Sequence, residues 1–132
     1  MRVVLDADVV IGALDGDDPH HREARQLFAA WLKQDAARLL SVVNLSEVLV
    51  APAADAKRMR RARAAISALG ITIHQAGEAI AVQAARLRGA HPISLADAYC
   101  VATASYAEAS LASFDEKVLR AAEAEGIERG LS

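Results

Sequence analysis

Short apolar runs and longer periodic stretches alternate along this chain. The runs at residues 2–6, 39–43, 71–74 and 110–112 are apolar on both sides, as strands covered on both faces of a sheet should be. A weaker fifth run falls near 127–131. Between them the period changes to that of a helix. HHREARQLFAAWLKQ puts Ala24, Leu27, Phe28, Trp31 and Leu32 on one stripe. AADAKRMRRARAAISALG does the same with Met59, Ala62, Ile66 and Leu69 and closes on Gly70, and EAIAVQAARLRG sets Ile80, Ala84 and Leu87 in line and closes on Gly89. Strands alternating with helices require right-handed crossovers. The predicted fold is therefore α/β: a three-layer α/β/α sandwich around a central, mostly parallel sheet of four to five strands.

Composition narrows the picture. With 132 residues and 54% hydrophobic content, the chain is expected to form a single domain, residues 1–132, with a core that needs no staples. The lone Cys100 excludes a disulfide framework or a cysteine metal cage and points to a cytoplasmic setting. Asp6 cuts short the N-terminal apolar run, which argues against a signal peptide, and no apolar stretch approaches the roughly 18 residues that span a bilayer. No membrane partner is expected. Aromatics are only 4%, so stacking platforms for bases are scarce. A net charge of −2 leaves a local basic patch as the one electrostatic route to a polyanion.

The acids carry the chemistry. In MRVVLDADVVIGAL a buried-type strand stops on Asp6, admits Asp8 and continues apolar, so the chain turns from strand to helix at residues 7–8. Leaving a carboxylate unpaired there costs several kcal/mol, so either a positive partner meets it or the site opens to solvent. VVNLSEVLV places Glu47 near the start of a helix, HPISLADAYCVATA places Asp97 in a first turn, and LASFDEKVL places Asp115 just after the fourth strand. In a parallel sheet the carboxyl ends of the strands share one edge, where ligand crevices form, so these distant acids can converge. Capping is the alternative: Asn44-x-x-Glu47, Ser94-x-x-Asp97 and Ser113-x-x-Glu116 all have the form of capping boxes. Capping does not account for Asp6. Clustered carboxylates repel and call for a cation, and an oxygen-only donor set suits Mg²⁺ or Mn²⁺ rather than zinc. His20, His21, His74 and His91 lack metal-motif spacing and read as solvated or locally bonded rings.

At this point the four segments VVLDADVVIGAL, VNLSEVLV, ISLADAYCVATA and LASFDEKVL resemble the four ordered motifs of PIN-domain ribonucleases, and among them the small VapC-like toxins of toxin–antitoxin pairs. The resemblance implies catalytic acids at Asp6, Glu47, Asp97 and Asp115, with Asp6, Asp97 and Asp115 holding Mg²⁺ or Mn²⁺, supported by Asn44 and Ser113. It implies a metal-dependent endoribonuclease that leaves 5′-phosphate and 3′-hydroxyl ends, an RNA substrate with tRNA among the candidates, a homodimer, and a cognate antitoxin. Asp8 departs from the family, which more often has Ser, Thr or Asn there; it either joins the acids or caps the first helix, and the cap is preferred.

KRMRRAR at 57–63 is the densest positive run, with Lys57, Arg60 and Arg61 as candidate RNA contacts against the alternative of a solvated helix face. A rival reading starts from the first motif. Leu5-Asp6-Ala7-Asp8 also resembles haloacid-dehalogenase-type phosphatases, which would make Asp6 a nucleophile and Asp8 a general acid, but the late paired-acid motif of those enzymes is missing.

Overall fold

The computed structural model describes residues 1–130. The elements follow in the order β1 (Arg2–Leu5), α1 (Ala7–Leu14), α2 (His21–Lys33), β2 (Ala37–Ser41), α3 (Val42–Leu49), a 3₁₀ turn (Pro52–Ala54), α4 (Ala56–Ala68), β3 (Ile71–His74), α5 (Glu78–Ala90), α6 (Leu95–Ala107), β4 (Ser110–Ala112) and α7 (Glu116–Ala124). The four strands form one sheet in the order β3-β2-β1-β4, and every pairing is parallel. All four carboxyl ends therefore lie on one edge.

Strand alternation divides the core into two layers. Val4, Leu39 and Leu111 point into a cluster with Ile80, Leu87 and Val101 from α5 and α6 and Val118 from α7. Their neighbours Val3, Leu5, Leu40 and Ala112 point the other way, against Val9, Phe28, Trp31 and Ile66 from α1, α2 and α4. Helices on both faces of a parallel sheet make the three-layer sandwich the alternation predicted.

Several boundaries differ from expectation for local reasons. The second strand ends at Ser41 rather than 43, because the Ser41 hydroxyl accepts the Val43 N–H (3.2 Å) and starts α3 there. Capping outweighs the β preference of Val42 and Val43. The fifth strand near 127–131 reduces to a single parallel bridge, Leu111 to Arg129, and its last residue lies outside the described residues. Gly70, at φ +70°, does close α4 as a left-handed residue. Gly89 does not close α5, which runs on to Ala90 and stops ahead of Pro92. Leu32, placed on the buried stripe of α2, is 70% exposed, and in α4 only Ile66 is fully buried, with Met59, Ala62 and Leu69 half-buried.

The C-terminal segment is sewn onto the sheet. Leu111 donates to the Glu128 carbonyl and receives the Gly130 N–H, while the Trp31 indole donates to the Gly130 carbonyl (3.0 Å). A β-carbon at Gly130 would overlap the buried Val3 side chain and crowd the Leu111 backbone. Gly130→Ala is expected to cost about 1–3 kcal/mol, the usual range for overpacking, read from the midpoint shift in urea unfolding. An unshifted midpoint would show that the tail contributes nothing to stability.

Candidate active site

Asp6 ends β1 and is the N-cap of α1. Its Oδ1 accepts the Ala7 N–H (2.8 Å), its Oδ2 accepts the Ser113 hydroxyl (2.6 Å), and it is 4% exposed. The preference for Asp8 as the cap is thus corrected: Asp6 fills that position because α1 begins at Ala7. Asp8 faces the segment after β4 instead, with Oδ2 accepting the Phe114 N–H (3.1 Å). Its Oδ1 is buried and has no partner.

The other acids arrive from separate elements. Glu47 stands in the second half of α3 rather than near its start, and Ser41, not Asn44, caps that helix. Asn44 is fully buried; its Nδ2 donates to Glu47 Oε1 (2.9 Å) and to the Ala96 carbonyl (3.0 Å), which ties α3 to the first turn of α6. Asp97 forms the expected capping box with Ser94 at the start of α6. Asp115 is the N-cap of α7 and accepts the Lys117 N–H (2.9 Å), so the reading of Ser113 and Glu116 as a capping box is also corrected. Ser113 faces inward, receiving the Asp115 N–H (3.0 Å) and donating to Asp6.

These groups feel one another. Burial, then Asp8 and Asp97, push the Asp6 carboxyl up to about 7, against the pull of the Ser113 and Ala7 hydrogen bonds. Burial pushes Asp8 up to about 6, with Asp115 adding to the rise while the Phe114 N–H and the His20 charge oppose it. Cys100, one turn beyond Asp97 in α6, is completely buried; burial raises its thiol, and Asp6, Asp8, Asp97 and Glu47 all add to the rise. The Ser113 hydroxyl lies 2.6 Å from Asp6 Oδ2 and 3.5 Å from Asp8 Oδ2, which brings these two carboxylates to one point. Among the described residues, no three His, Cys, Asp or Glu side chains already stand as a closed metal-holding group. No histidine is hydrogen-bonded to Asp6, Asp8, Glu47, Asp97 or Asp115: His20 lies 3.8 Å from Asp18, His21 meets the Gly12 carbonyl, His74 that of Gln75, and His91 pairs with Glu125.

The basic run lies beside this edge. Arg58 and Arg61, with Asp15, Glu47 and the apolar side chains of Ile11, Leu14 and Val48, line an open groove of about 510 Å³ between α1, α3 and α4. Arg61 is therefore placed as a candidate contact near Glu47. Lys57 and Arg60 are exposed and do not line the groove, whereas Arg58, which the sequence reading did not single out, does. Helical spacing signals this only once the burial of Ile66 fixes which stripe of α4 turns inward. The stacking of His20 on Phe114, at 4.3 Å between ring centroids, was not legible at all, because nothing in the sequence brings residues 20 and 114 together.

The fold is a parallel α/β sandwich in which Asp6 and Asp115 follow the carboxyl ends of β1 and β4, and Asn44 ties Glu47 to the start of α6, where Asp97 stands. The PIN domain model matches residues 3–124, and the chain belongs to that family. No curated protein sequence matches it. Its structural neighbours are toxins of toxin–antitoxin pairs. It is similar to a toxin–antitoxin complex from Klebsiella pneumoniae (25% identity, TM-score 0.76, 98% of each chain covered). It shares the fold of VapC20 from Mycobacterium tuberculosis, a sarcin-ricin loop cleaving toxin (16% identity, TM-score 0.74, 90% of this chain and 94% of that one). The same holds for FitAcB from Neisseria gonorrhoeae (23% identity, TM-score 0.66, 96% and 95%). No helix among the described residues is long and apolar enough to cross a membrane.

The raised carboxyls set a pH dependence. Between the unfolded value of 3.8 and about 7, folded Asp6 keeps a proton that the unfolded chain has released. The folded state binds more protons in that window, so rising pH lowers stability. In EDTA, the melting temperature is expected to drop from about pH 5 to about pH 8, and Asp6→Asn is expected to flatten the drop. A wild-type profile indistinguishable from that of Asp6→Asn would show that Asp6 titrates normally.

Proposed function

We propose that this protein is a divalent-metal-dependent endoribonuclease, the toxin of a toxin–antitoxin pair. The observation that carries the reading is the meeting of Asp6 and Asp8 at the Ser113 hydroxyl, two partly or fully buried carboxylates whose repulsion no basic side chain offsets by a hydrogen bond, inside a chain of the PIN family. Without a cation, that repulsion is relieved only by a proton.

The residues fit a hard divalent ion. Every donor is oxygen, and Asp8 Oδ1 and Asn44 Oδ1 are buried without partners. A closed cage of three side chains is not needed, because Mg²⁺ keeps several waters and takes one or two carboxylates besides substrate phosphate. Asp6, Asp97 and Asp115 are the carboxylates that would hold it, one or two of them directly and the rest through its waters. When bound, such an ion makes water more acidic and neutralises charge developing on a phosphodiester. The chain's own groups supply the rest. Ser113 holds Asp6 through a single short hydrogen bond and so sets which oxygen faces the site. Asn44 occupies Glu47 Oε1, leaving Oε2 to accept the proton of the attacking water. Water adds to phosphorus, the bond to the 3′ oxygen breaks, and the products carry 5′-phosphate and 3′-hydroxyl ends. Asp6 as a phosphatase nucleophile fits poorly, since the chain belongs to the PIN family and lacks the late paired-acid motif that reading requires.

RNA is the substrate we infer, supported by the toxin kinship and by a neighbour that cleaves the sarcin-ricin loop. The antitoxin partner is inferred from the same kinship.

Wild-type protein with Mg²⁺ or Mn²⁺ is expected to cut total RNA, EDTA to stop it, and Asp97→Asn to abolish it. Asn44→Ala should retain activity reduced by about 10- to 100-fold, the usual cost of losing a group that orients a ligand. Equal cleavage by wild type and Asp97→Asn would sink the assignment. The groove makes a separate claim. In an Asp97→Asn background, Arg58→Ala with Arg61→Ala should flatten the salt dependence of single-stranded RNA binding by about 1.4 in log–log slope, at roughly 0.7 for each phosphate contact. Arg60→Ala with Arg63→Ala should leave it unchanged, and the reverse pattern would place the backbone on the outer face of α4.

A further inference from the structure

The His20–Phe114 pair is an aromatic shelf fastened to the acid site. The rings are nearly parallel, 10° apart with centroids at 4.3 Å. Phe114 stands between Ser113 and Asp115, and its N–H is bonded to Asp8, so its position is fixed by the same contacts that fix the acids. His20 lies on the solvent side. Its side chain is 49% exposed although Phe114 covers one face, so the exposure belongs to the other face and the ring edge. The ring is also close enough to Asp8 for its charge to act on that carboxyl.

The surroundings select what can sit there. His20 ends the acidic turn Asp15-Gly16-Asp17-Asp18, and Asp18 lies 3.8 Å from its Nδ1. A phosphate is repelled by that turn; an uncharged planar ring is not. The other aromatic pairs do not compete for this role. Phe28 and Trp31 are buried in the core, and Tyr106 meets His74 at the end of α6 opposite Asp97. We propose that the open face of His20 is a nucleobase subsite, which stacks one unpaired base of the RNA beside the acids and so sets which phosphate they reach. The subsite rests on the nuclease reading for its role and requires single-stranded RNA, because a base inside a duplex has no free face. The backbone then leaves the acidic turn and runs toward the arginines of the α3–α4 groove. His20 is a positioning residue: it touches the base, not the reacting atoms.

The test uses a single-stranded RNA 12-mer of mixed sequence carrying 2-aminopurine, titrated into Asp97→Asn protein in Mg²⁺, with cleavage of the same 12-mer by the corresponding proteins with Asp97 intact. Binding is expected to quench the fluorophore. His20→Ala should remove the quenching and weaken binding about fivefold or more, as loss of one base–aromatic stack does, without changing the salt slope. His20→Phe should restore both, which separates stacking from any charge or hydrogen bond of the imidazole. The His20 side chain makes no capping bond and its N–H to Asp18 is a backbone group, so both variants should fold; His20→Ala should melt slightly lower for loss of the Phe114 stack, which His20→Phe keeps, and binding is compared below both melts. Cleavage by wild type with His20→Ala indistinguishable in binding and quenching overturns the subsite and leaves the nuclease standing. Failure of His20→Phe to rescue overturns it as well. Quenching that depends on His20 in a protein that cuts no RNA supports the subsite and removes the nuclease reading.

Discussion

The structure turns on a carboxylate buried at the end of its central strand. Asp6 is held by the Ala7 N–H on one side and the Ser113 hydroxyl on the other, and these two bonds join the start of α1 to the segment after β4. Because β1 lies between β2 and β4, whatever fixes the end of β1 fixes the middle of the whole carboxyl edge. Ser113 in turn receives the Asp115 N–H, so the N-cap of α7 is positioned by the side chain that positions Asp6. On the opposite flank, Asn44 performs the same service between α3 and α6. Two buried polar side chains, Ser113 and Asn44, thus link the four elements that carry the acids. The two bonds to Asp6 are buried, where a hydrogen bond is electrostatically stronger than in water.

Holding the acids this way is in tension with stability. The same burial that fixes Asp6 raises its carboxyl to about 7, and Asp8 adds to that rise rather than relieving it. A fold selected for stability alone would place an apolar residue or a paired charge there. The acids are instead held in place, and the cost of burying them is carried by two well-packed core layers.

The layer order, the parallel sheet and the edge where the acids meet were legible in the sequence, because doubly buried strands and 3.6-residue stripes leave strong periodic signals. What failed was local. Val42 and Val43 look like strand, yet a single Ser41 hydroxyl converts them to helix. Asp8 looks like a cap since Asx residues favour that position, but which of two acids caps is decided by where the turn begins, and Asp6 lies one step nearer the strand. The hydrogen bonds of the four acids were not legible. Contacts such as Phe114 to Asp8 and His20 to Phe114 cross about a hundred positions of chain and leave no periodic trace. Arg58 was overlooked for a different reason: in an arginine-rich helix, composition does not say which stripe faces a groove.

Capping and chemistry, which the sequence posed as alternatives, prove to be one arrangement. Asp6, Asp97 and Asp115 each sit at the N-terminal start of a helix and each accept a backbone N–H. A cap bond engages one carboxylate oxygen and sets the plane of the group, and the helix dipole offsets part of the negative charge that would otherwise scatter the cluster. The second oxygen is thereby aimed rather than left to rotate. In Asp97 and Asp115 no side-chain donor takes that second oxygen; in Asp6 the Ser113 hydroxyl does, and Asp6 is the most deeply buried of the three. Glu47 is the exception that fits the same logic: too far into α3 to reach the free N–H groups at its start, it is oriented by Asn44 instead. For Asp6, Asp97 and Asp115, then, helix capping does not exclude a place in a site: the bond that starts the helix also fixes how the carboxylate is turned.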